Sequence, residues 1–108
     1  MRVWLDDERD PKDPFIQQRF GAKGDEVWVK HTWDVKDLIL AGNVEFVSFD
    51  NDLTSGEPEG KDLAKWIEEQ AFNKAIPPMK WAVHTQNPAA RKEIIAAMKN
   101  AERFWSES

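Results

Sequence analysis

Four aspartates form two closely spaced pairs, and each pair follows a short apolar run. Asp6 and Asp7 follow VWL, and Asp50 and Asp52 flank Asn51 in the segment VSFDNDL. Unpaired carboxylates that lie close together repel one another, so raised pKa values or a bound cation must relieve them. Oxygen ligands suit a hard divalent ion, and the four aspartates are therefore candidate ligands for Mg²⁺ or Mn²⁺. The alternative is that they cap helices or accept hydrogen bonds in turns.

A second group of reactive side chains occurs in the segment VHTQNP. Histidine has a near-neutral pKa, so His84 is a candidate donor or acceptor of a proton at a leaving oxygen. Thr85 can hydrogen-bond a phosphoryl oxygen, and the helix that is expected to begin after Asn87 offers free N–H groups to an anion. The alternative is a surface histidine that only hydrogen-bonds its neighbours.

Two further residues are candidates for contact with a phosphorylated ligand. Arg9 follows the first acidic pair and can clamp a phosphate, although an ion pair with an acidic neighbour in the sequence is an equal alternative. Gly60 lies where a loop becomes a helix, where it either permits close approach of the backbone to a ligand or forms part of a turn.

Strands and helices alternate around these residues. Runs rich in Val, Phe and Trp predict four strands, which are Arg2–Leu5, Glu26–Lys30, Glu45–Phe49 and Lys80–Val83. Apolar residues at helical spacing, bounded by Gly and Pro stop signals, predict the helices Pro14–Phe20, Trp33–Ala41, Lys61–Phe72 and Pro88–Phe104.

This alternation predicts an α/β fold with parallel strands and right-handed crossovers. We expect one domain over residues 1–108, with a three-layer, flavodoxin-like architecture and the strand order 2-1-3-4. The chain turns in opposite directions after strands 1 and 3, which leaves a crevice beyond their carboxyl ends. Both acidic pairs and His84 are therefore predicted to lie beside this crevice.

Composition limits the classes of function. The 108 residues are 41% hydrophobic and 32% charged, which is typical of a packed domain. A formal net charge of −5 disfavours non-specific binding to nucleic acid, but it permits a small phosphorylated ligand beside a metal ion. The sequence has no cysteine, and no run approaches the roughly 18 apolar residues that span a bilayer. We therefore expect a cytoplasmic protein that does not bind membranes.

The acidic segments make the chain resemble a receiver domain of the response-regulator type. VWLDDER matches the acidic pair after the first receiver strand, and Asp50 stands where receivers carry the aspartate that accepts a phosphoryl group. Receivers also have a fifth strand that ends in an essential lysine, whereas here a single helix follows the fourth strand. The resemblance implies a truncated receiver that lacks the fifth strand.

A closer resemblance, which spans nearly the whole chain, is to the cyclic-phosphate processing receiver-like family. It is based on four ordered motifs, which are Leu5-Asp6-Asp7-Glu8-Arg9, Ser48-Phe49-Asp50-Asn51-Asp52-Leu53, Gly60-Lys61-Asp62 and His84-Thr85-Gln86-Asn87-Pro88. Asn51 stands where that family often has histidine. The resemblance implies hydrolysis of cyclic phosphates on nucleotides or RNA ends.

Three functions are compatible with these residues. The first is a metal-dependent phosphoesterase, in which the aspartates hold the ion, His84 protonates the departing ribose oxygen, and Thr85 and Asn87 orient the phosphoryl group. The second is a receiver-like module in which Asp50 accepts a phosphoryl group. The third is a non-catalytic domain that binds a nucleotide or inhibits another protein.

Overall fold

The structure, a computed structural model, describes residues 1–107; Ser108, the last residue of the predicted domain, lies outside it. Four strands alternate with four helices. The strands are β1 (Arg2–Leu5), β2 (Val27–Val29), β3 (Phe46–Phe49) and β4 (Lys80–Val83). The helices are α1 (Pro14–Phe20), α2 (Thr32–Leu40), α3 (Gly60–Phe72) and α4 (Pro88–Ser106). Every predicted element is present, and its ends differ from the prediction by no more than one or two residues.

The strands form one parallel sheet in the order β2-β1-β3-β4, as predicted. Leu5 of β1 is the register partner of Val29 in β2 and of Phe49 in β3, and Phe49 pairs in turn with Val83 of β4. The four strands therefore end at the same level. Because all of them are parallel, the residues that follow them emerge together at one edge of the sheet.

Alternate strand residues face two helical layers. Val3 and Leu5 of β1 belong to a core cluster that includes residues of α2, α3 and α4, whereas Trp4 clusters with Ile16 of α1. Successive side chains of a strand point to opposite faces, so an apolar run is buried on both sides. The result is the predicted three-layer α/β fold. No helix of the described chain combines the length and apolar character needed to cross a membrane.

Local capping signals fix the starts of the helices that follow β3 and β4. Asn87 has an extended backbone, and its side chain accepts a hydrogen bond of 3.1 Å from the N–H of Ala90 at the start of α4. Pro88 occupies the first helical position, where its fixed φ favours the helix. Before α3, the carboxylate of Asp62 accepts a hydrogen bond of 2.7 Å from the N–H of Glu59.

β4 is an edge strand, and the sheet of the described residues has no fifth member. The N–H of His84 donates to the carbonyl of Phe49 in β3, at 2.9 Å, so the peptide groups of Val83 point towards the free edge. The carbonyl of Val83 accepts a hydrogen bond of 2.8 Å from Nη1 of Arg91 in α4. A side chain therefore satisfies the last carbonyl of this edge.

Gly60, the first residue of α3, lies against the backbone at the end of β3. Its N–H donates to the carbonyl of Asn51 at 3.0 Å. A Cβ atom added to Gly60 would lie 1.8 Å from the carbonyl oxygen of Asp50. Glycine is therefore required here for the close approach of helix and strand end, and not for a positive φ.

We predict that Gly60→Ala destabilises the protein, although alanine is the better helix former by about 1 kcal/mol. The added Cβ would overlap backbone atoms that cannot rotate away, so α3 must move. We expect the free energy of unfolding, measured by urea denaturation, to fall by about 3 kcal/mol. Gly42→Ala is the control, because the space around Gly42 is open and only its φ of 78° is unfavourable, at a cost of about 1 kcal/mol. Equal losses in both variants would contradict the packing explanation.

Candidate functional site

Asp6, Asp50 and His84 directly follow β1, β3 and β4. All three residues are buried, and each offers a ligand atom that lies within 4.8 Å of those of the other two. The parallel sheet thus brings the first aspartate of each pair together with the histidine. We call these three residues the carboxylate–histidine cluster.

The carboxylate of Asp6 accepts four hydrogen bonds. Oδ1 accepts from the backbone N–H groups of Glu8 at 2.9 Å and Arg9 at 3.0 Å. Oδ2 accepts from Nε2 of His84 at 3.0 Å and from Nη1 of Arg9 at 3.2 Å. Burial alone raises the pKa of Asp6, but the hydrogen bonds from His84 and the backbone outweigh burial and bring that pKa below its usual value. Asp6 is therefore ionised.

Asp50 is buried beside Asp6, but its carboxylate accepts fewer hydrogen bonds than that of Asp6. Its Oδ1 accepts a hydrogen bond of 2.8 Å from the N–H of Asn51, and its Oδ2 lies 3.6 Å from Nη1 of Arg9. Burial and the charge of Asp6 raise the pKa of Asp50 to about 6, although Asn51, Arg9 and a hydrogen bond with Thr85 oppose the increase. Two neighbouring carboxylates with separated pKa values are typical of a site in which one of them exchanges a proton near neutral pH.

Arg9 places its guanidinium group between the two carboxylates. Nη1 lies 3.2 Å from Oδ2 of Asp6 and 3.6 Å from Oδ2 of Asp50, and the guanidinium carbon lies 4.4 Å from the ring centre of Phe20. The sequence predicted either contact with a phosphate or an ion pair with an acidic neighbour in the sequence. In the structure Arg9 forms ion pairs, and its partners are the carboxylates of the cluster. The side chain is 26% exposed. Its contact with a phosphate stays a prediction.

His84 is held on three sides. Its Nε2 lies 3.0 Å from Oδ2 of Asp6, its Nδ1 lies 2.8 Å from Oγ of Ser48, and the ring of Trp4 stacks on it at 3.8 Å. Burial lowers the pKa of His84 although Asp6 opposes the decrease, so the imidazole is neutral at pH 7. Because the ionised Asp6 can only accept, Nε2 carries the proton in this arrangement, and the Ser48 hydroxyl donates to Nδ1.

Sequence analysis does not single out Ser48 or Trp4, which fix the imidazole of His84. The two residues are register partners on β3 and β1, so their side chains lie side by side on the face of the sheet that α1 covers. One signal could have identified Ser48. It is a polar residue inside an apolar strand, and a buried hydroxyl needs a hydrogen-bond partner.

Thr85 links Asp50 to the start of α4. Its hydroxyl oxygen accepts a hydrogen bond of 3.2 Å from the N–H of Asn87, and Thr85 also acts to lower the pKa of Asp50. The residue is buried. Its hydroxyl therefore lies between a carboxylate and a helix N-terminus, where partial positive charge attracts anions.

Asn51, the position at which the resembled family often has histidine, holds the start of α3. Its Oδ1 accepts a hydrogen bond of 3.0 Å from the N–H of Lys61. Its Nδ2 donates to Glu59 at 2.8 Å and to Asp52 at 3.1 Å. The side chain is fully buried, and its amide serves the helix start rather than the cluster.

The other predicted site residues surround the cluster. Asp7 is half-buried and Asp52 is exposed, and neither belongs to the group of nearby ligand atoms. Asp52 accepts from the amide of Asn87 at 3.5 Å, while the oxygen of Asn87 caps α4. The close contact of Gly60 is with protein backbone. The ligand roles of the two aspartates, and the substrate contacts of Asn87 and Gly60, stay predictions.

The carboxylate–histidine cluster could hold a metal ion. Its carboxylates suit Mg²⁺ or Mn²⁺, and its imidazole extends the choice to softer ions. Nε2 of His84 must lose its proton to become a ligand. The hydroxyl of Ser48 can accept as well as donate, so it supports the tautomer in which Nδ1 carries the proton instead. Any ion would share the oxygens of Asp6 and Asp50 with Arg9.

We predict that Asp50→Asn stabilises the metal-free protein at alkaline pH. The pKa of Asp50 is about 6 in the folded state, against 3.8 for an ordinary aspartate. The folded state therefore binds more protons between these values, and wild-type stability falls as the pH rises from about 4 to about 6. The loss is about 3 kcal/mol at most, and asparagine removes it. Urea unfolding in EDTA, at about pH 4 and about pH 8, measures the effect.

Two variants calibrate this experiment. Asp25→Asn changes an exposed carboxylate that precedes β2, and its effect on stability should be small at both pH values. Asp6→Asn should destabilise the protein at pH 8, because the pKa of Asp6 is lowered and its ionised form is hydrogen-bonded. An Asp50→Asn protein that is no more stable than wild type at pH 8 would contradict the raised pKa.

Comparison with known proteins agrees with this geometry. No curated protein and no solved structure matches the chain. The sequence model of one family, described as "Cyclic-phosphate processing Receiver domain", matches residues 1–100. That range includes all four strands and every residue of the carboxylate–histidine cluster. The chain therefore belongs to the cyclic-phosphate processing receiver domain family.

Proposed function

We propose that the protein is a phosphoesterase that opens a cyclic phosphate on a nucleotide or at an RNA end. The observation that carries the proposal is the convergence of Asp6, Asp50 and His84 at the strand ends, with ligand atoms within 4.8 Å of one another and Arg9 beside both carboxylates. Two carboxylates, an imidazole and a cation at one place are suited to metal binding and proton transfer at a phosphate ester. The family description supports a cyclic phosphate as the substrate.

The phosphate would bind where positive charge and hydrogen-bond donors converge. Arg9 offers its guanidinium group, which lies beside both carboxylates, and Thr85 offers its hydroxyl beside Asp50. The N-terminus of α4, a helix of 19 residues, adds the positive end of its dipole. These groups would neutralise the phosphate charge that the acidic surface otherwise repels.

Ring opening needs one proton to move. A water oxygen attacks phosphorus, one P–O bond to the ribose breaks, and the departing ribose oxygen takes up a proton that the water loses. We assign this proton to Nε2 of His84. Nε2 accepts it in the tautomer in which Nδ1–H donates to Ser48, and not in the arrangement in which Nε2–H donates to Asp6. Asp6, 3.0 Å from Nε2, stabilises the imidazolium ion until the proton passes to the ribose oxygen.

We propose Mg²⁺ or Mn²⁺ as the cofactor. Asp6 and Asp50 would hold the ion, with Asp7 and Asp52 as the further ligands predicted from the sequence. When bound, such an ion supplies positive charge to a phosphoryl oxygen and lowers the pKa of a water molecule. Asp50 would then be ionised, because the repulsion that raises its pKa is balanced.

We predict that His84→Gln and Asp50→Asn each lower kcat/KM for a 2′,3′-cyclic nucleotide by roughly 100-fold or more, because each removes a group that transfers a proton or stabilises charge. The assay follows ring opening by chromatography in the presence of Mg²⁺ or Mn²⁺. Asp25→Asn is the matched control, because this exposed carboxylate lies before β2, at the end of the sheet opposite the cluster. It should retain wild-type activity.

Three results would point away from this function. Equal background rates for wild type, His84→Gln and Asp50→Asn would contradict it. Acid-labile incorporation of phosphate into Asp50 from a small phosphodonor, without turnover, would favour the receiver-like phosphoacceptor. Tight binding of an unaltered nucleotide would favour a non-catalytic binding domain.

We further predict that Asp6→Asn and Asp50→Asn each weaken Mn²⁺ binding by at least roughly tenfold, because each removes one of the two central carboxylates. Titration calorimetry of the protein with Mn²⁺ measures the change. Asp7→Asn and Asp52→Asn should cause smaller losses, since both side chains lie outside the cluster. Unchanged Mn²⁺ affinity in Asp6→Asn and Asp50→Asn would contradict a metal site between these residues.

A further inference from the structure

An aromatic pair without a role in the cluster lies at the carboxyl end of β2. The rings of His31 and Trp33 are stacked, with centres 4.6 Å apart and planes inclined by 5°. Trp33 is 45% exposed, and the side chain of His31 is 36% exposed. Full burial of a large apolar side chain stabilises a fold by roughly 1.5–3 kcal/mol. Because Trp33 is only partly buried, it contributes less than this to stability. Core packing therefore does not explain the pair.

Strand register places the pair beside the carboxylate–histidine cluster. Leu5 pairs with Val29, and the N–H of Asp6 donates to the carbonyl of Val29 at 3.1 Å. Asp6 comes one residue after Leu5, and His31 comes two residues after Val29. The backbone of His31 is extended. Strand geometry then puts the two Cα atoms roughly 6 Å apart.

The loop that begins at Asp50 reaches the same pair. Nδ1 of His31 lies 2.6 Å from Oε1 of Glu57, which belongs to the connection between β3 and α3. The side chain of Glu57 therefore links the connection that follows β3 to the residues that follow β2. Glu57 and Trp33 together fix the imidazole plane, so the stacked surface is held in place at the border of the crevice.

We propose that the His31–Trp33 pair is the stacking platform for the base of the substrate, which makes the substrate a nucleoside cyclic phosphate and not a base-free sugar phosphate. This inference rests on the proposed function, which puts the phosphate at Asp6 and Asp50. Stacking of a base on an aromatic side chain contributes about 1–3 kcal/mol and tolerates any base, because every base has a π face. The net charge of −5 favours a single nucleotide or a chain end over a long polyanion.

The test compares 2′,3′-cyclic AMP with ribose 2,3-cyclic phosphate, which lacks the base. We expect Trp33→Leu to lower kcat/KM for the nucleotide by roughly tenfold, mainly through KM, and to leave the base-free compound unchanged. Trp33→Phe retains an aromatic face and should keep most of the preference for the nucleotide. Phe72→Leu is the matched control, because Phe72 is 65% exposed at the far end of α3 and should leave both values unchanged.

The outcomes separate this inference from the proposed function. If wild type opens both compounds and Trp33→Leu does not change their ratio, the platform is wrong and the phosphoesterase function stands. If wild type opens neither compound, the function fails, and the same two compounds then serve as ligands in titration calorimetry. In that case weaker binding of the nucleotide to Trp33→Leu than to wild type supports the platform. Equal affinities, or no binding to wild type, overturn it.

Discussion

Two carboxylates are buried side by side at adjacent strand ends, and the structure around them compensates for their repulsion. Asp6 receives backbone and imidazole hydrogen bonds, and Arg9 supplies the one cation that bridges Asp6 and Asp50 within the described chain. The loop that provides these partners is itself anchored by two indoles. Nε1 of Trp28 donates to the carbonyl of Asp6 at 2.7 Å, and Nε1 of Trp4 donates to the carbonyl of Arg9 at 3.1 Å. Tryptophan, often only core filler, here fixes the geometry of the charged groups.

Ser48, His84 and Asp6 form a continuous hydrogen-bonded line, but their roles differ from those in a serine hydrolase. Ser48 lies inside β3, and its hydroxyl hydrogen-bonds Nδ1 of His84 at 2.8 Å, so it is not placed as a nucleophile. It acts instead on the imidazole, since a hydroxyl that can donate or accept supports either tautomer of His84. The line ends at Asp6, next to Asp50, where the strand ends meet.

Much of this arrangement was predictable from the sequence, because parallel topology alone determines which residues share an edge of the sheet. Asp6, Asp50 and His84 each follow a predicted strand, and the fold brings them together. The surrounding loops were less predictable. Asp7 directly follows Asp6, and Asp52 comes two residues after Asp50. The loop conformation nevertheless places both outside the cluster. That conformation is set by hydrogen bonds from distant residues, which sequence order does not reveal.

Contacts between elements that are remote in sequence were also hidden. A glycine before a helix can indicate a turn or a ligand, and only the packing of α3 against β3 shows that Gly60 is required by the carbonyl of Asp50. Similarly, the asparagine at position 51 is explained by the N–H of Lys61, ten residues later. In both cases the constraint arises where helix and strand meet, and the local sequence pattern contains no trace of it.

The four-stranded sheet leaves one edge of β4 unpaired, and an unpaired edge is a template on which another chain can add a strand. Arg91, near the start of α4, donates a hydrogen bond to the carbonyl of Val83. An incoming strand would have to displace that hydrogen bond. The charged Lys80 at the start of β4 adds a further obstacle, because lysine on an edge disfavours intermolecular pairing. Side chains of the protein itself therefore partly block the free edge of β4.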